Sequence, residues 1–163
     1  MTQEDRKLLI KDLCSRSYYK VKLSTIYDNK EYEGTLCAVY PEDNRVIIDN
    51  LNKPCHYPNQ KCGGFIIDEH KVKPYLFPMS SMTEEQLEDL KNYTGLKWSH
   101  NTIELIDWEE RYKTLEFWME EIPSYELIKV FDWLNKNHFD YRGLIPKGLA
   151  NDATDLNILE LWK

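Results

Sequence analysis

The sequence reads SYELIKVFDWLNKNHFDYRGLIPKGLA from Ser124 to Ala150, and this stretch decides how the C-terminal part of the chain folds. Ser124 can cap a helix. The apolar side chains that follow recur at helical spacing, and they are Leu127, Ile128, Phe131, Trp133 and Leu134. Asn135 and Asn137 are poor helix formers, so the helix is predicted to end near His138. A return segment that contains Leu144, Ile145 and Leu149 is then predicted to fold back over the helix.

Polar side chains are concentrated at the break, where His138, Asp140, Tyr141 and Arg142 are candidate ligand-binding residues. A histidine beside a carboxylate can act as a general base, and an arginine can bind an anion. Alternatively, His138 interacts with the helix dipole and Gly143 supplies an unusual dihedral angle. We favour this structural interpretation, because the sequence contains no companion nucleophile and no glycine-rich phosphate loop. No catalytic residue and no cofactor are therefore predicted.

The N-terminal half predicts a helix followed by a small sheet. Thr2 and Asp5 have the spacing of a capping box, which predicts a helix over residues 3–15. The apolar period then changes to two, which predicts five short strands near residues 19–25, 32–40, 45–49, 65–67 and 70–76. Gly34 is expected to mark a bend or a bulge. This order is typical of small SH3-like or Sm-like barrels.

The middle of the chain predicts further helices. Thr83 and Gln86 form a second capping box, with Met82 and Leu87 placed as a hydrophobic staple, and Gly95 is a natural helix stop. From Leu96 to Ile122 the side chains Trp108, Tyr112, Leu115, Met119 and Ile122 fit one helical face. We prefer a helix there, with a strand at Thr114–Met119 as the alternative.

Together these patterns predict an α+β protein with an N-terminal helix and a small, strongly bent antiparallel sheet or barrel, followed by a helical C-terminal half. The predicted division is a helix-plus-barrel part at residues 1–78, an acidic and aromatic-rich connecting segment at 79–122, and a C-terminal helix with its return segment at 123–163.

The negative charge is concentrated in the middle of the chain. The net charge is −7, and residues 83–122 alone carry 11 acidic and 4 basic side chains. A broad nucleic-acid footprint is not expected from such a charge, since phosphate binding relies on clustered Lys and Arg. Trp98, Trp108 and Trp118 lie in this segment and are either core residues or anchors for a basic protein partner. We take these three as candidate protein-interface residues.

The cysteines suggest a reducing compartment. Cys14, Cys37, Cys55 and Cys62 are scattered, so they are expected to be buried thiols and not disulfides. Cys55, His56 and Cys62, with Cys37 or His70 as a fourth ligand, have the donor types of a zinc site. Six residues separate Cys55 from Cys62, however, and zinc sites usually show tighter pairs. A plain surface loop is the favoured interpretation, a Cys55–Cys62 disulfide is the other alternative, and no metal is predicted.

No apolar run is long enough for a membrane span, and the N-terminus MTQEDRKLLIK lacks the regions of a signal peptide. A cytoplasmic location without membrane association is the expectation.

Three blocks of the sequence resemble a family of proteins of unknown function. They read LLIKDLCSRSYYKVKL, KVKPYLFPMSSMTEEQ and DWLNKNHFDYRGLIPKGLA, and the third is the most specific. Members of this family are encoded by phages, prophages and mobile elements of gut Bacteroidetes. The resemblance covers under half of the chain and implies an intracellular, phage-linked setting, with no catalytic residues to transfer. The tail NDATDLNILELWK departs from the family pattern.

The leading functional hypothesis is a non-enzymatic binding or adaptor protein that contacts a protein partner through the acidic, aromatic middle segment. One alternative is a protein that binds or sequesters a small, nucleotide-type ligand, with Arg142, His138 or lysines of the sheet at the phosphate. A second alternative is an enzyme that uses His138 and Asp140.

Overall fold

The computed structural model describes residues 1–52, 61–94, 102–108, 112–118 and 124–156; for 102–108, 112–118 and 124–126 it describes the backbone alone. The chain divides into two compact units. Unit 1 contains Met1–Leu76 and Arg142–Lys163, and unit 2 contains Phe77–Tyr141. The division differs from the three successive segments predicted from the sequence, because the C-terminal residues return to unit 1.

Unit 1 begins with helix α1, Gln3–Arg16. The hydroxyl of Thr2 accepts a hydrogen bond from the Asp5 amide at 3.1 Å, and the Asp5 carboxylate accepts one from the Thr2 amide at 3.4 Å. This reciprocal pair confirms the predicted capping box, which satisfies two of the amides that a helix start leaves without partners. Further along α1, the apolar side chains of Leu9 and Leu13 are completely buried.

The sheet of unit 1 is mixed and open. Its strands are β1 (Lys22–Tyr27), β2 (Lys30–Tyr40), β3 (Arg45–Asp49), β4 (Gly63–Ile66), β5 (Lys73–Pro78, to Leu76 in unit 1) and, later in the chain, β9 (Asn151–Asp152). The spatial order is β4-β3-β2-β1-β5, antiparallel throughout, and β9 lies parallel to β5. Among the described residues, β4 does not pair with β5 or β9. The predicted barrel closure is therefore not confirmed.

All five strands predicted from the alternation are present, and β3 has the predicted bounds. The contact between β1 and β5 is short, since only Leu23↔Pro74 and Ser24↔Lys73 are paired. A proline cannot donate to the ladder, so Pro74 limits how far this pairing extends. The sheet is thus continuous but weakly joined at this point.

Gly34 lies where β2 passes very close to the end of β3. A Cβ atom at this position would lie 2.5 Å from the carbonyl oxygen of Asp49 and 2.6 Å from Cγ2 of Ile48. The glycine is therefore required by close approach. The expected bulge occurs three residues later, where the β2–β3 register shifts between Leu36 and Ala38.

The core of unit 1 lies between α1, the sheet and the return segment. Its buried side chains from the helix and sheet include Leu9, Leu13, Val21, Leu23, Leu36, Val46, Ile48, Phe65, Ile67, Val72 and Leu76. Leu144 and Leu149 belong to the same cluster, and Ile145 packs against it. The prediction that this return segment folds over the C-terminal helix is therefore wrong. Apolar spacing shows that these residues are buried, but it cannot show against which core.

Unit 2 contains helix α2 (Glu84–Thr94), hairpin strands β6 (Thr102–Trp108) and β7 (Tyr112–Trp118), helix α3 (Ser124–Lys136) and strand β8 (Phe139–Asp140). The capping box of α2 is confirmed: Thr83 donates its amide to Gln86 Oε1 at 2.9 Å, and Gln86 donates its amide to Thr83 Oγ1 at 3.2 Å. Met82 and Leu87 pack in the same apolar cluster, as the staple predicted. The predicted stop at Gly95 falls outside the described residues.

The helix preferred between Leu96 and Ile122 is wrong for the residues that the structure describes. These form an antiparallel hairpin in which Leu105 pairs with Leu115 and Ile103 pairs with Phe117. Apolar residues two apart and apolar residues three to four apart coexist in this segment, so its period is ambiguous. The alternative strand at Thr114–Met119 was the better interpretation.

The described core of unit 2 is built around Trp133 on α3. Its ring stacks on Phe139 of β8 with 5.7 Å between centroids and 10° between planes. Its indole Nε1 donates to Asp89 of α2 at 2.8 Å, which joins the two helices and satisfies the buried N–H. Within the described part of α3 the buried apolar residues are Val130, Trp133 and Leu134.

The buried face of α3 is therefore rotated from the predicted one. Two members of the predicted stripe, Ile128 and Phe131, are 67% and 42% exposed. No helix in the described ranges is long and apolar enough to cross a membrane.

The Gly34→Ala variant is expected to unfold at a lower urea concentration than the wild type and to lose about 1–3 kcal/mol of unfolding free energy. The reason is that the new methyl group of β2 would collide with the Asp49 carbonyl at the end of the neighbouring strand β3. The matched control is Gly64→Ala, whose Cβ would lie 3.4 Å from Ile47 Cδ1, an ordinary contact. Equal midpoints for the two variants would contradict this account of Gly34.

Candidate functional site

The end of α3 positions His138 through its backbone. The His138 amide donates to the Asn135 carbonyl at 3.2 Å, and the residue has φ +58°, in the left-handed region. Its carbonyl oxygen accepts from the Phe77 amide at 2.9 Å, which starts the parallel pairing of β5 with β8. His138 is thus the residue that turns the chain out of the helix and into a strand, and its side chain is buried.

The neighbouring candidates also have structural partners in unit 2. Asp140 is buried in β8, where it pairs with Pro78. The Tyr141 hydroxyl donates to Asn135 Oδ1 at 3.1 Å, and its ring lies 5.3 Å from the ring of Phe131. These contacts close the turn after α3. They match the helix-end interpretation more closely than an arrangement that holds a general base open to a substrate.

Arg142 is the first residue of the returning part of unit 1, so the four predicted ligand-binding residues are divided between the two units. Its Nε lies 3.3 Å from Oδ1 of Asp12, and its Nη2 donates to the Ser15 hydroxyl at 3.1 Å. The Ser15 hydroxyl in turn donates to the Lys11 carbonyl at 2.8 Å. Arg142 is therefore engaged with α1 and not presented to an external anion.

Asp12 is the centre of a buried charge cluster that sequence reasoning did not identify. It is completely buried and accepts two hydrogen bonds from Arg16, at 2.7 Å from Nε and 3.1 Å from Nη2. This is the bidentate geometry in which a guanidinium and a carboxylate bind most strongly. Arg142 is a second guanidinium at the same carboxylate, so two cations share one anion. The only sequence signal was an i,i+4 Asp–Arg pair on the same stripe as Leu9 and Leu13.

The thiols differ from the expectation of burial. Cys14 and Cys37 are exposed, and Cys62 is half-buried. In the described part of the chain, no group of three or more His, Cys, Asp or Glu side chains is arranged to hold a metal ion. Cys55 and His56, on which the zinc and disulfide alternatives depended, lie outside the described residues.

Cys37 has an acidic neighbour that suppresses its ionisation. A hydrogen bond to the Asp49 side chain raises the pKa of the Cys37 thiol, and the residual burial and the negative charge of Asp49 add to the effect. The thiolate is the nucleophilic form, so this thiol is less reactive than its exposure alone would suggest.

The tryptophans proposed as interface anchors fall on the hairpin or outside the described residues. Trp98 lies outside them. In the hairpin register Trp108 pairs with Tyr112 and Trp118 pairs with Thr102, so the two tryptophans occupy opposite ends of the ribbon.

The exposed face of α3 is a surface that the sequence did not indicate. Ile128 and Phe131 are spaced i,i+3 and therefore lie side by side on the helix. Tyr93 of α2 is also exposed, and its hydroxyl donates to Asp132 of α3 at 2.6 Å. We call Ile128, Phe131 and Tyr93 the α3 surface. The sequence could not reveal it, because a wide apolar stripe does not show which of its members is left uncovered.

A second feature is a groove on unit 1, between α1 and the turn that joins β2 to β3. It has a volume of about 400 Å³ and is lined by Gln3, Arg6, Lys7, Ile10, Lys11, Pro41 and Asn44. We call it the α1 groove. No acidic side chain is among its lining residues.

Comparison of the chain with protein-family models, with curated proteins and with solved structures finds no match in any of the three. The resemblance to the phage-linked family therefore stays a prediction from the sequence.

The Asp12→Asn variant is expected to lose about 3–5 kcal/mol of unfolding free energy, because it removes the buried carboxylate with which both Arg16 and Arg142 form ion pairs. Urea unfolding followed by tryptophan fluorescence and circular dichroism measures the loss. The matched control is Asp43→Asn, which breaks the exposed pair with Arg45 and should change stability by no more than about 0.5 kcal/mol. A loss for Asp12→Asn no larger than that of the control would contradict the anchoring role.

The Asp49→Ala variant is expected to make Cys37 react with iodoacetamide severalfold faster near pH 8. Removing the carboxylate lowers the raised pKa of the thiol, so a larger fraction is thiolate at that pH. The difference should shrink as the pH rises above the pKa in both proteins. Peptide mass spectrometry resolves the sites, and Cys14 is the internal control because only partial burial raises its pKa. An unchanged Cys37 rate would show that Asp49 does not set its reactivity.

Proposed function

We propose that this chain is a non-enzymatic binding protein of phage or prophage origin, acting in the cytoplasm, and that unit 2 docks a basic segment of a protein partner. The observation that carries the proposal is the α3 surface, where Ile128 and Phe131 remain exposed on a helix whose other face is in the core. For a protein of phage or prophage origin, the partner is a protein of the host or of the phage.

Apolar contact is the first source of binding energy. Fully burying one exposed large apolar side chain contributes roughly 1.5–3 kcal/mol. Ile128 and Phe131 are 67% and 42% exposed, so covering both contributes about 2–3 kcal/mol. Aromatic residues at the centre of an interface are frequent hot spots, and Phe131 with Tyr93 provides two. The hydroxyl of Tyr93 donates a hydrogen bond to Asp132, and this bond raises the pKa of the phenol.

The charge of unit 2 indicates that the partner segment is basic. Unit 2 carries 14 acidic and 6 basic side chains, a formal charge of −8, whereas unit 1 has 15 basic and 14 acidic side chains, a formal charge of +1. A negative unit attracts basic partners over a distance set by the ionic strength and raises the association rate. The hairpin of the same unit contributes two of these acidic residues, Glu104 and Glu116, at paired backbone positions.

The enzyme alternative is less well supported by these contacts. His138 and Asp140 are buried and serve the turn between α3 and β8. The nucleotide-type alternative loses Arg142 and His138 as phosphate ligands, since both have structural roles, but unit 1 offers a different set of cations for it.

Affinity purification of the tagged protein from its bacterial host, with chemical crosslinking, tests the proposal. The wild type is expected to retain a basic partner at low salt, and recovery should fall steeply as salt is raised. The Ile128→Ser/Phe131→Ser double variant should recover at least about tenfold less, since about 1.4 kcal/mol of lost contact energy corresponds to that factor.

The matched control is Tyr18→Ser/Ile26→Ser, which removes two exposed large apolar side chains from unit 1, 86% and 39% exposed. It should recover the partner like the wild type. Circular dichroism melts of both double variants establish that unit 2 is still folded. Equal recovery by the two double variants, or a partner that is acidic, would overturn the proposal.

A further inference from the structure

The α1 groove is built from one face of a helix. Its helical residues are Gln3, Arg6, Lys7, Ile10 and Lys11, which follow the i, i+3, i+4, i+7, i+8 pattern of a single stripe. The opposite stripe of α1 enters the core through Leu9 and Leu13. The outer stripe is therefore fixed in direction by the packing of the helix, which gives the groove a rigid wall.

Two lysines of the groove are available to bind an anion. Lys7 and Lys11 are exposed, spaced i,i+4, and make no ion pair with any of the described residues. Like charges at this spacing destabilise a helix by roughly 0.2–0.5 kcal/mol, and a bound anion between them removes that cost. Arg6 is held at the groove by an ion pair with Asp68.

Asp68 neutralises Arg6, but the acids on the turn and on α1 form no ion pair with Lys7 or Lys11 in the described structure. Glu42 and Asp43 follow Pro41 on the turn but are not among the lining residues, and Asp43 pairs with Arg45 at 3.4 Å. On α1 itself, Glu4 is exposed at the i−3 position from Lys7 without an ion pair to it in the described structure.

The remaining lining residues suit a flat, partly apolar body. Ile10 packs partly against the core of unit 1, and Pro41 faces it from the turn, so both provide apolar surface. Gln3 and Asn44 provide amide groups that can both donate and accept hydrogen bonds, as the edge of a nucleobase requires. The backbone of Asn44 is in the left-handed region at φ +49°, and its backbone N–H donates to the Pro41 carbonyl at 3.3 Å. The turn therefore has a defined shape.

We propose that the α1 groove binds a mononucleotide, with the phosphate between Lys7 and Lys11 and the base against Ile10 and Pro41. The volume of about 400 Å³ lies within the range of small-molecule sites. An ion with no organic body would use the two lysines but leave the apolar wall and the amides without a role. This inference concerns unit 1 and does not depend on the partner of unit 2.

Isothermal titration calorimetry and thermal shift with AMP, GMP, CMP and UMP test the proposal on the full chain. At least one nucleotide is expected to bind and to raise the melting temperature, because it binds the folded state alone. The Lys7→Gln/Lys11→Gln variant should weaken that binding by about tenfold or more. The matched control is Lys30→Gln/Lys61→Gln, which removes the same charge from exposed positions outside the groove and should bind within about twofold of the wild type.

Four outcomes would overturn the proposal. One is that no nucleotide binds or shifts the melting temperature at about 5 mM. A second is that inorganic phosphate binds as tightly as the nucleotide, which would reduce the groove to a cationic patch. A third is equal weakening by the groove and control variants. The last is tighter binding of a 5′-phosphorylated oligonucleotide by more than about tenfold, which would assign the groove to nucleic acid.

Discussion

The carboxylate of Asp12 is the constraint on which unit 1 depends. A fully buried carboxylate is costly unless hydrogen bonds replace its hydration, and here Arg16 supplies two of them from the same helix. Arg142 then approaches from the returning chain and adds a second cation. Asp12 therefore joins α1 to the segment in which the chain re-enters unit 1 at Arg142.

That re-entry explains the composition of the core. Two residues beyond Arg142 the chain places Leu144 in the core of unit 1, and Leu149 follows it. Tyr141, one residue before Arg142, belongs to unit 2, whose core is centred on Trp133. The two units also differ in charge, since unit 1 is close to neutral and unit 2 is strongly acidic.

The features that were predictable from the sequence are local. The capping boxes at Thr2 and Thr83 depend on residues three apart, and both are present as predicted. What could not be predicted depends on contacts that are distant in sequence: Arg142 meets Ser15 across 127 residues, and no periodicity encodes such a pair. The exposed Phe131 illustrates the same limit, because an amphipathic stripe indicates burial without saying how much of the stripe its neighbours cover.

The order of the two units along the chain has a consequence for synthesis. On the ribosome the whole of unit 2 leaves the exit tunnel before residues 142–163, which unit 1 still requires. During that interval β5 waits for its parallel partner β9, and Asp12 waits for its second guanidinium. Parallel edges and long-range contacts form late. Because residues 142–163 are synthesised last, unit 1 is completed only after unit 2 has been made, through contacts that span residues 77–141.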